Sequence, residues 1–246
     1  MRRRQAWLLG VLCAAWAAAA AAHTSMPPYI AFWGPFSAGA IACQRQLGVN
    51  GQRCTEAALQ LSMRCTQSPQ AQECSDEALA TAKAAMMARA GRAVRAVCSD
   101  SEAQEMRFRD LSEAETDMML ACSGESETMH ALMAPASHPA LPALCESEIA
   151  AVGVVFVRTA LRDKRATLDR IAVRDLLPSQ RLALINVTAH RLARVRELLA
   201  ARLTDHCPDF AAATGSSPST WLVNLELRSE CVIFAGYIQS AYTCPR

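Results

Sequence analysis

Glycine and aromatic residues are scarce in this sequence of 246 residues, which contains ten glycines and only 5% aromatic residues. No Gly-x-Gly-x-x-Gly or Walker pattern occurs, which argues against the common glycine-rich phosphate loops. The Gly-x-Ser-x-Gly elbow of serine hydrolases is also absent. Cysteine pairs at the Cys-x-x-Cys spacing of zinc sites are missing as well. These absences argue against a nucleotide-binding enzyme, an elbow-type hydrolase and a thiolate metal site.

Long apolar runs are also lacking after the first two dozen residues. The strongest, Ile149 to Val157, is far shorter than the ~20 residues of a membrane-spanning helix. The start of the chain differs, because three arginines precede an alanine-rich apolar stretch and a zone of small residues. This order is typical of a secretory signal peptide. We therefore predict a signal peptide over residues 1–22 and a mature protein that is secreted or periplasmic.

Cysteine, by contrast, is abundant, and an even number of cysteines behind an export signal predicts a disulfide framework. The predicted mature chain contains Cys43, Cys54, Cys65, Cys74, Cys98, Cys122, Cys145, Cys207, Cys231 and Cys244. The sequence leaves their pairing open. Seven of them lie between Cys43 and Cys145 and three between Cys207 and Cys244. If all ten pair within the chain, at least one bridge must therefore join the two halves.

The spacing of the cysteines suggests where the bridges lie. Cys74, Cys98, Cys122 and Cys145 are separated by 24, 24 and 23 residues, and a short polar, acidic run follows each. Ser99 with Glu102 fits a capping box, which satisfies free amides at a helix start. A unit of this length accommodates one helix and a connection. The pattern predicts cysteines at helix junctions, with a degenerate helical repeat or a coincidence of ordinary helix lengths as its two explanations.

The longest stretch without cysteine, Glu146–His206, has the clearest amphipathic pattern. Apolar residues recur at helical spacing on both sides of Leu177-Pro178, which predicts two long helices packed as a hairpin. The predicted core-facing residues are Val157, Leu161, Leu168, Ile171, Leu182, Ile185, Ala189, Leu192, Val195, Leu199 and Leu203. Because Val154–Val157 and Cys231–Phe234 are rich in β-branched residues, two short strands are an alternative there.

Together these patterns predict an all-α fold, a disulfide-stapled array or bundle of about six to eight helices with a long amphipathic hairpin. Residues 23–36 are rich in aromatic residues, proline and glycine, and predict an extended arm before Ser37 caps the first helix. Residues 37–246 are predicted to form a single cysteine-rich helical domain. A proline-rich loop is expected over Ala134–Pro142, and the last helix is expected to start near Trp221.

Charge is distributed unevenly along a chain whose net charge is only +2. The segment Ser99–Glu127 has nine acidic residues and two arginines, whereas Arg158–Arg202 has eleven basic and four acidic residues. Either the two segments form neighbouring helices whose fields partly cancel, or the second presents a basic face to an anionic lipid surface or a protein partner. Nucleic acid is not expected as a partner, because the basic segment has almost no aromatic residues.

A few residues suggest specific chemistry. Cleavage after Ala22 would leave His23 at the N-terminus, where its amine and imidazole bind copper if a second histidine lies nearby. The available histidines are His130, His138, His190 and His206. Asp205-His206-Cys207 resembles a catalytic dyad in composition, and Glu113 with Asp117 forms a carboxylate pair on one helix face. The ordinary interpretations are an incidental cleavage-site histidine, a helix end and a solvated acidic face.

Two further features have both a functional and an ordinary interpretation. The methionines Met86, Met87, Met118, Met119, Met129 and Met133 line either an adaptable apolar groove or simply the core. Asn186-Val187-Thr188 is a glycosylation sequon, placed in the middle of a predicted helix.

The leading functional expectation is an exported, non-enzymatic binding or structural protein. The alternative is a helical carrier of lipid or a small molecule, and the third is a copper-binding protein that uses an N-terminal histidine. We assign no catalytic, cofactor-binding or metal-binding residue from the sequence.

Overall fold

The computed structural model describes residues 36–134 and 143–237, which form eight α-helices and one 3₁₀ turn. The helices are α1 Ala38–Gln67, α2 Asp76–Arg95, α3 Asp100–Glu105, α4 Leu111–Met133, α5 Ala143–Val173, α6 Pro178–His206, α7 Phe210–Thr214 and α8 Pro218–Ala235, and the turn is Gln72–Cys74. The all-α prediction is confirmed, and the two segments proposed as strands are helical, inside α5 and α8. The predicted signal peptide, the arm up to residue 35, and residues 135–142 of the predicted loop lie outside the described residues.

Local sequence signals fix several helix starts. Ser37 accepts a hydrogen bond from the N–H of Ala40 at 3.1 Å, as a cap of α1 should. Ser75 caps α2 in the same way. The capping box predicted before α3 is confirmed, because the Glu102 carboxylate accepts from the backbone N–H of Ser99 at 2.6 Å. These caps supply partners for amides that a helix start would otherwise leave unpaired.

Helix α1 packs against α2, α4, α5 and α8. Helix α5 in turn packs against α6 and α8, and α8 also contacts α4. Trp221 of α8 is fully enclosed, with its indole N–H donating to the carbonyl of Leu132 at 2.9 Å and its ring 5.4 Å from that of Phe210. None of the described helices combines the length and the apolarity that a membrane span requires.

The predicted hairpin is confirmed as α5 and α6, whose Thr167 and Thr188 hydroxyls lie 2.6 Å apart across it. One face of α6 packs on α5 and α8, and the opposite face is exposed. Leu182 and Ala189 lie on the exposed face, so their predicted place in the core is wrong. The buried positions of this narrow contact face are Ile185, Leu192, Ala200 and Leu203.

Disulfide bridges join distant parts of the chain. Four have both partners among the described residues: Cys43–Cys98, Cys54–Cys122, Cys65–Cys74 and Cys145–Cys207. Cys231 is disulfide-bonded as well, and Cys244 lies outside the described residues. The Cys145–Cys207 bridge joins the two halves of the chain, as the parity of the cysteine counts requires.

The bridges are not confined to helix junctions. Cys54 lies inside α1 and Cys122 inside α4, so their bridge joins two helices at mid-length. The polar run after Cys122 continues α4 and does not start a new helix, which corrects the junction pattern at this position. Cys98 and Cys207, in contrast, do follow the ends of α2 and α6.

Two helical glycines provide a matched test of this packing. A Cβ on Gly48 of α1 would lie 2.7 Å from the hydroxyl oxygen of Tyr237, whereas a Cβ on Gly124 of α4 would meet nothing within 4 Å. We expect Gly48→Ala to lower the free energy of unfolding by about 1–3 kcal/mol, because the enclosed ring must move. Gly124→Ala should raise it by about 0.5–1 kcal/mol through helix propensity. Urea denaturation measures both, and a stabilised Gly48→Ala variant would contradict the packing described here.

Candidate functional site

Charged side chains are buried where α5, α6 and α8 meet. Lys164 of α5 is 5% exposed and Glu226 of α8 is 9% exposed. The ammonium of Lys164 donates to Glu226 at 3.0 Å and also to Glu230. The second carboxylate oxygen of Glu226 accepts from Arg196 of α6. We call these four residues the buried ion network, and it connects all three helices.

The environment of Lys164 determines its protonation state. Burial on its own would lower the pKa of the ammonium, but the charges and hydrogen bonds of Glu230 and Glu226 outweigh burial and raise it. A lysine that acts as a nucleophile or base must be neutral. Lys164 therefore stays charged and acts as a cross-link between helices, not as a reactive amine.

A second polar cluster connects the first half of α1 with the end of α5 and with Tyr237, which follows α8. The Tyr237 hydroxyl donates to Asp169 at 2.6 Å, and Gln44 donates to the carbonyl of Tyr237 at 2.6 Å. Arg165 donates to Asp169 at 2.6 Å and to Gln52 at 2.7 Å. Burial, followed by the charge of Asp169, raises the pKa of Tyr237 well above its usual value, which keeps the phenol a donor. This cluster holds the last turns of α5 in place.

The acidic segment 99–127 is neutralised in part from α2 and α8. Arg95 donates to Glu115 at 2.5 Å, and Lys83 pairs with Glu127 at 3.1 Å. Glu125 pairs with an arginine of α8 at 3.6 Å. Burial raises the pKa of both Glu115 and Glu125 in spite of these partners.

Arginines of the basic segment 158–202 pair with acidic residues that lie outside the segment 99–127. Arg191 pairs with Asp163 of α5, and Arg202 pairs with Glu148 near the start of α5. The hydrogen bond from Arg202 is the main cause that lowers the pKa of Glu148. These pairs join each charged segment to residues outside the oppositely charged one. The charges of segments 99–127 and 158–202 are therefore not neutralised by ion pairs between the two segments, although the interpretation as neighbouring helices suggested that their fields partly cancel.

Residues 170–182, which we call the hairpin tip, connect α5 to α6 and have a different character. Arg170 and Arg174 are exposed and form no ion pair with any other described residue. Val173 is 54% exposed, Leu177 65% and Leu182 46%. Apolar side chains thus lie in water beside unneutralised arginines. This surface was not predicted from the sequence, although arginines four residues apart next to Leu177-Pro178 were a visible signal.

The histidines do not form a metal site in the described part of the chain. Within residues 36–134 and 143–237, no group of three or more His, Cys, Asp or Glu residues is placed to hold a metal ion. His130 lies in α4, while His190 and His206 are exposed on α6. His23 and His138 lie outside the described residues, so the copper hypothesis stays a prediction.

The suggested dyad and Glu113 of the suggested carboxylate pair have structural roles. Cys207 is bonded to Cys145, so Asp205-His206-Cys207 offers no thiol. Glu113 accepts from the backbone N–H of Arg109 at 2.5 Å and thereby supports the start of α4. Neither arrangement provides a nucleophile with an adjacent base.

The methionines mostly fill the core. Met118, Met129 and Met133 are at most 1% exposed, and Met86, Met87 and Met119 are partly buried. A separate open groove of about 790 Å³ lies beside the first half of α2, lined by alanines, Thr81 and polar groups. Asn186 is exposed on α6, and its glycosylation stays a prediction.

Comparison of the chain with protein-family models, with curated proteins and with solved structures gave no match.

Proposed function

We propose that the protein is an exported, non-enzymatic binding protein whose contact surface is the hairpin tip. The observation that carries this proposal is the exposure of Val173, Leu177 and Leu182 around one interhelical turn. Single exposed apolar residues are ordinary on protein surfaces, but a group of them next to polar residues is typical of an interaction site.

The interior supports a binding role over a catalytic one. Lys164 is held protonated by two carboxylates, and Tyr237 is held as a neutral donor by Asp169. Each of these two groups is therefore fixed in its usual charge state, whereas catalytic acids and bases are commonly shifted toward neutral pH. Burial shifts the pKa values of Glu115 and Glu125 in that direction, but each of these carboxylates is paired with an arginine of a neighbouring helix.

Export is supported by two features of the chain. Residues 1–22 have the order of charge and apolarity of a signal peptide. The mature part has several disulfide bridges, which form and persist in oxidising compartments.

A carrier of lipid or a small molecule is the second candidate. The groove beside α2 has a volume within the range of ligand pockets. Its openness to solvent and its lining of alanine and polar groups fit a lipid chain poorly, since carriers enclose their ligands in apolar walls.

Fractionation of cells that naturally produce the protein tests the proposal. We expect the wild-type protein to associate with the cell envelope and Val173→Glu/Leu177→Glu to lose at least about nine-tenths of this association, because charged side chains at the tip oppose burial of the surface. Leu144→Glu is the matched control. Leu144 is 81% exposed at the opposite end of α5, so this variant should behave as wild type. Envelope association that the tip variant retains would contradict the proposal.

Intact mass measurement of the exported protein separates the other candidates. A binding protein should start near residue 23, show the mass of a bridged chain and hold no lipid or metal. Bound lipid that survives purification would favour the carrier. A chain that starts at His23 and retains copper after dialysis would favour the copper-binding protein.

A further inference from the structure

We propose that the hairpin tip docks on an anionic membrane surface, an inference that rests on the proposed binding function and names its partner. The tip presents two kinds of group that such a surface recognises together. Its exposed apolar side chains fit the boundary between headgroups and acyl chains, and its arginines fit the phosphates.

Charge is distributed along the α5–α6 hairpin so that the two ends differ. Arg170 and Arg174 are exposed at the turn, with Asp175 as the acidic residue beside them. Glu146 is exposed near the start of α5, and Asp205 is exposed at the last turn of α6. An anionic surface attracts the first end and repels the second. The hairpin is therefore oriented with its tip toward the membrane before any contact forms.

The ion pairs of α6 distinguish three of its arginines from those of the tip. Arg191, Arg196 and Arg202 are each bound to an acidic residue of α5 or α8. These arginines are thus already neutralised, whereas Arg170 and Arg174 have no acidic partner among the described residues. An unneutralised arginine gains the most from a lipid phosphate, because no internal pair has to break.

Helical spacing places these groups on one side of the end of α5. Val173 and Arg174 lie three and four residues after Arg170 at the end of α5, and Leu177 lies four residues after Val173, beyond the helix. Arginine stems can lie along the headgroup layer while their guanidinium groups stay in water. The contact is therefore shallow and interfacial, which agrees with described helices that are unsuited to spanning a bilayer.

The scaffold holds the tip in a fixed position. Asp169 is bound by Tyr237 and Arg165 one turn before Val173. Because α5 cannot turn about its axis without breaking these hydrogen bonds, the exposed side chains keep a common orientation. Preorganisation of this kind lowers the entropy lost on binding.

The size of the patch favours lipid over a protein partner. Three apolar side chains are far fewer than the ~20–30 residues a side of a standard protein interface. Reversible membrane binding needs no such area, because a few buried apolar groups and a few cations act together.

Vesicle sedimentation with the purified, oxidised, full-length mature protein tests the inference. We expect binding to vesicles of phosphatidylcholine with phosphatidylglycerol, little binding to phosphatidylcholine alone, and release by high salt. Arg170→Gln/Arg174→Gln should lower the partition coefficient roughly 25-fold, about fivefold for each arginine. Val173→Glu/Leu177→Glu should abolish sedimentation.

Arg194→Gln is the matched control for charge. Arg194 is exposed on α6, roughly 25 Å along the helix from Leu177, so its removal should change the partition coefficient less than about twofold. Thermal melting checks that every variant keeps the fold.

The outcomes distinguish failure of the lipid inference from failure of the binding function. Absence of anionic binding, equal binding to neutral vesicles, or tip variants that bind as wild type would each overturn the inference. If such a failure occurs while envelope association in cells still depends on the tip, the occupant is another protein and the binding function stands. A tip-dependent change of sedimentation coefficient without vesicles would identify a second copy of the chain and also overturn the lipid inference.

Discussion

Replacing Lys164 with methionine is expected to lower the free energy of unfolding by about 3–5 kcal/mol. The substitution keeps the length of the side chain but removes the cation that lies between Glu226 and Glu230. Glu226 retains Arg196 as a partner, whereas Glu230 loses the lysine to which it is bonded. Glu230, whose side chain is only 18% exposed, is then left without its cation, and its partial burial opposes the charged form. Urea denaturation at neutral pH measures the loss.

Lys83→Met is the matched control for this prediction. Lys83 pairs with Glu127, whose side chain is 63% exposed, so water replaces the lost partner. The free energy of unfolding is expected to fall by less than about 1 kcal/mol. If the two substitutions cost the same, the ion network does not have the buried character described here.

The pH dependence of the Lys164 effect follows from the same contacts. In the wild type the folded-state pKa of Lys164 is raised, so its contribution is present below the usual lysine pKa and is lost only as the pH rises through the raised value. In Lys164→Met this contribution is absent, so the stability deficit relative to the wild type should shrink as the pH rises through the raised pKa of Lys164. A deficit that stays constant from neutral to strongly alkaline pH would contradict this account.

The periodicity of apolar residues was sufficient to predict the hairpin, and it also contained a signal that Lys164 is buried. Leu161 and Leu168 were predicted to face the core, and both are fully or nearly buried. Lys164 stands three residues after the first and four before the second, on the same helical stripe. A lysine at that position predicts a buried cation. Its partners on α8 are more than sixty residues away, and no local pattern specifies them.

The periodicity of apolar residues was insufficient to predict which residues lie on the exposed side of α6. Leu182 and Ala189 belong to the amphipathic pattern, but the helix contacts its neighbours through the narrower stripe that contains Ile185 and Leu192. A pattern of apolar residues defines which face of a helix can be buried. The number of neighbouring helices decides how much of that face they cover. With α5 and α8 both on one side, Leu182 is left exposed at the tip.

Cysteine spacing was informative about the existence of bridges and misleading about their place. The prediction of bridges at helix junctions was based on the regular spacing of the cysteines, and it assumed that each interval contains one helix. Helix α4 instead continues through Cys122, because two of the polar residues that follow find partners inside the fold: Glu125 pairs with an arginine of α8, and the Ser126 hydroxyl donates to the carbonyl of Ser123. Parity was the firmer argument, since it depends only on counts.

Removing the bridge that joins the two halves should be among the most damaging changes to the chain. Cys145 and Cys207 are 62 residues apart, and the loop-entropy relation gives about 4 kcal/mol for a bridge that closes a loop of this length. We therefore expect Cys145→Ser/Cys207→Ser to lower the free energy of unfolding by about 4 kcal/mol.

The matched control is Cys65→Ser/Cys74→Ser, because those cysteines are only nine residues apart. The same relation gives about 2.5 kcal/mol for so short a loop. Denaturant titration of both variants measures the difference. The longer bridge also joins the start of α5 to the end of α6, where Arg202 pairs with Glu148, so its loss should increase amide hydrogen exchange in those two regions. Equal destabilisation by the two double variants, with no local change in exchange, would show that the Cys145–Cys207 bridge does not constrain the hairpin.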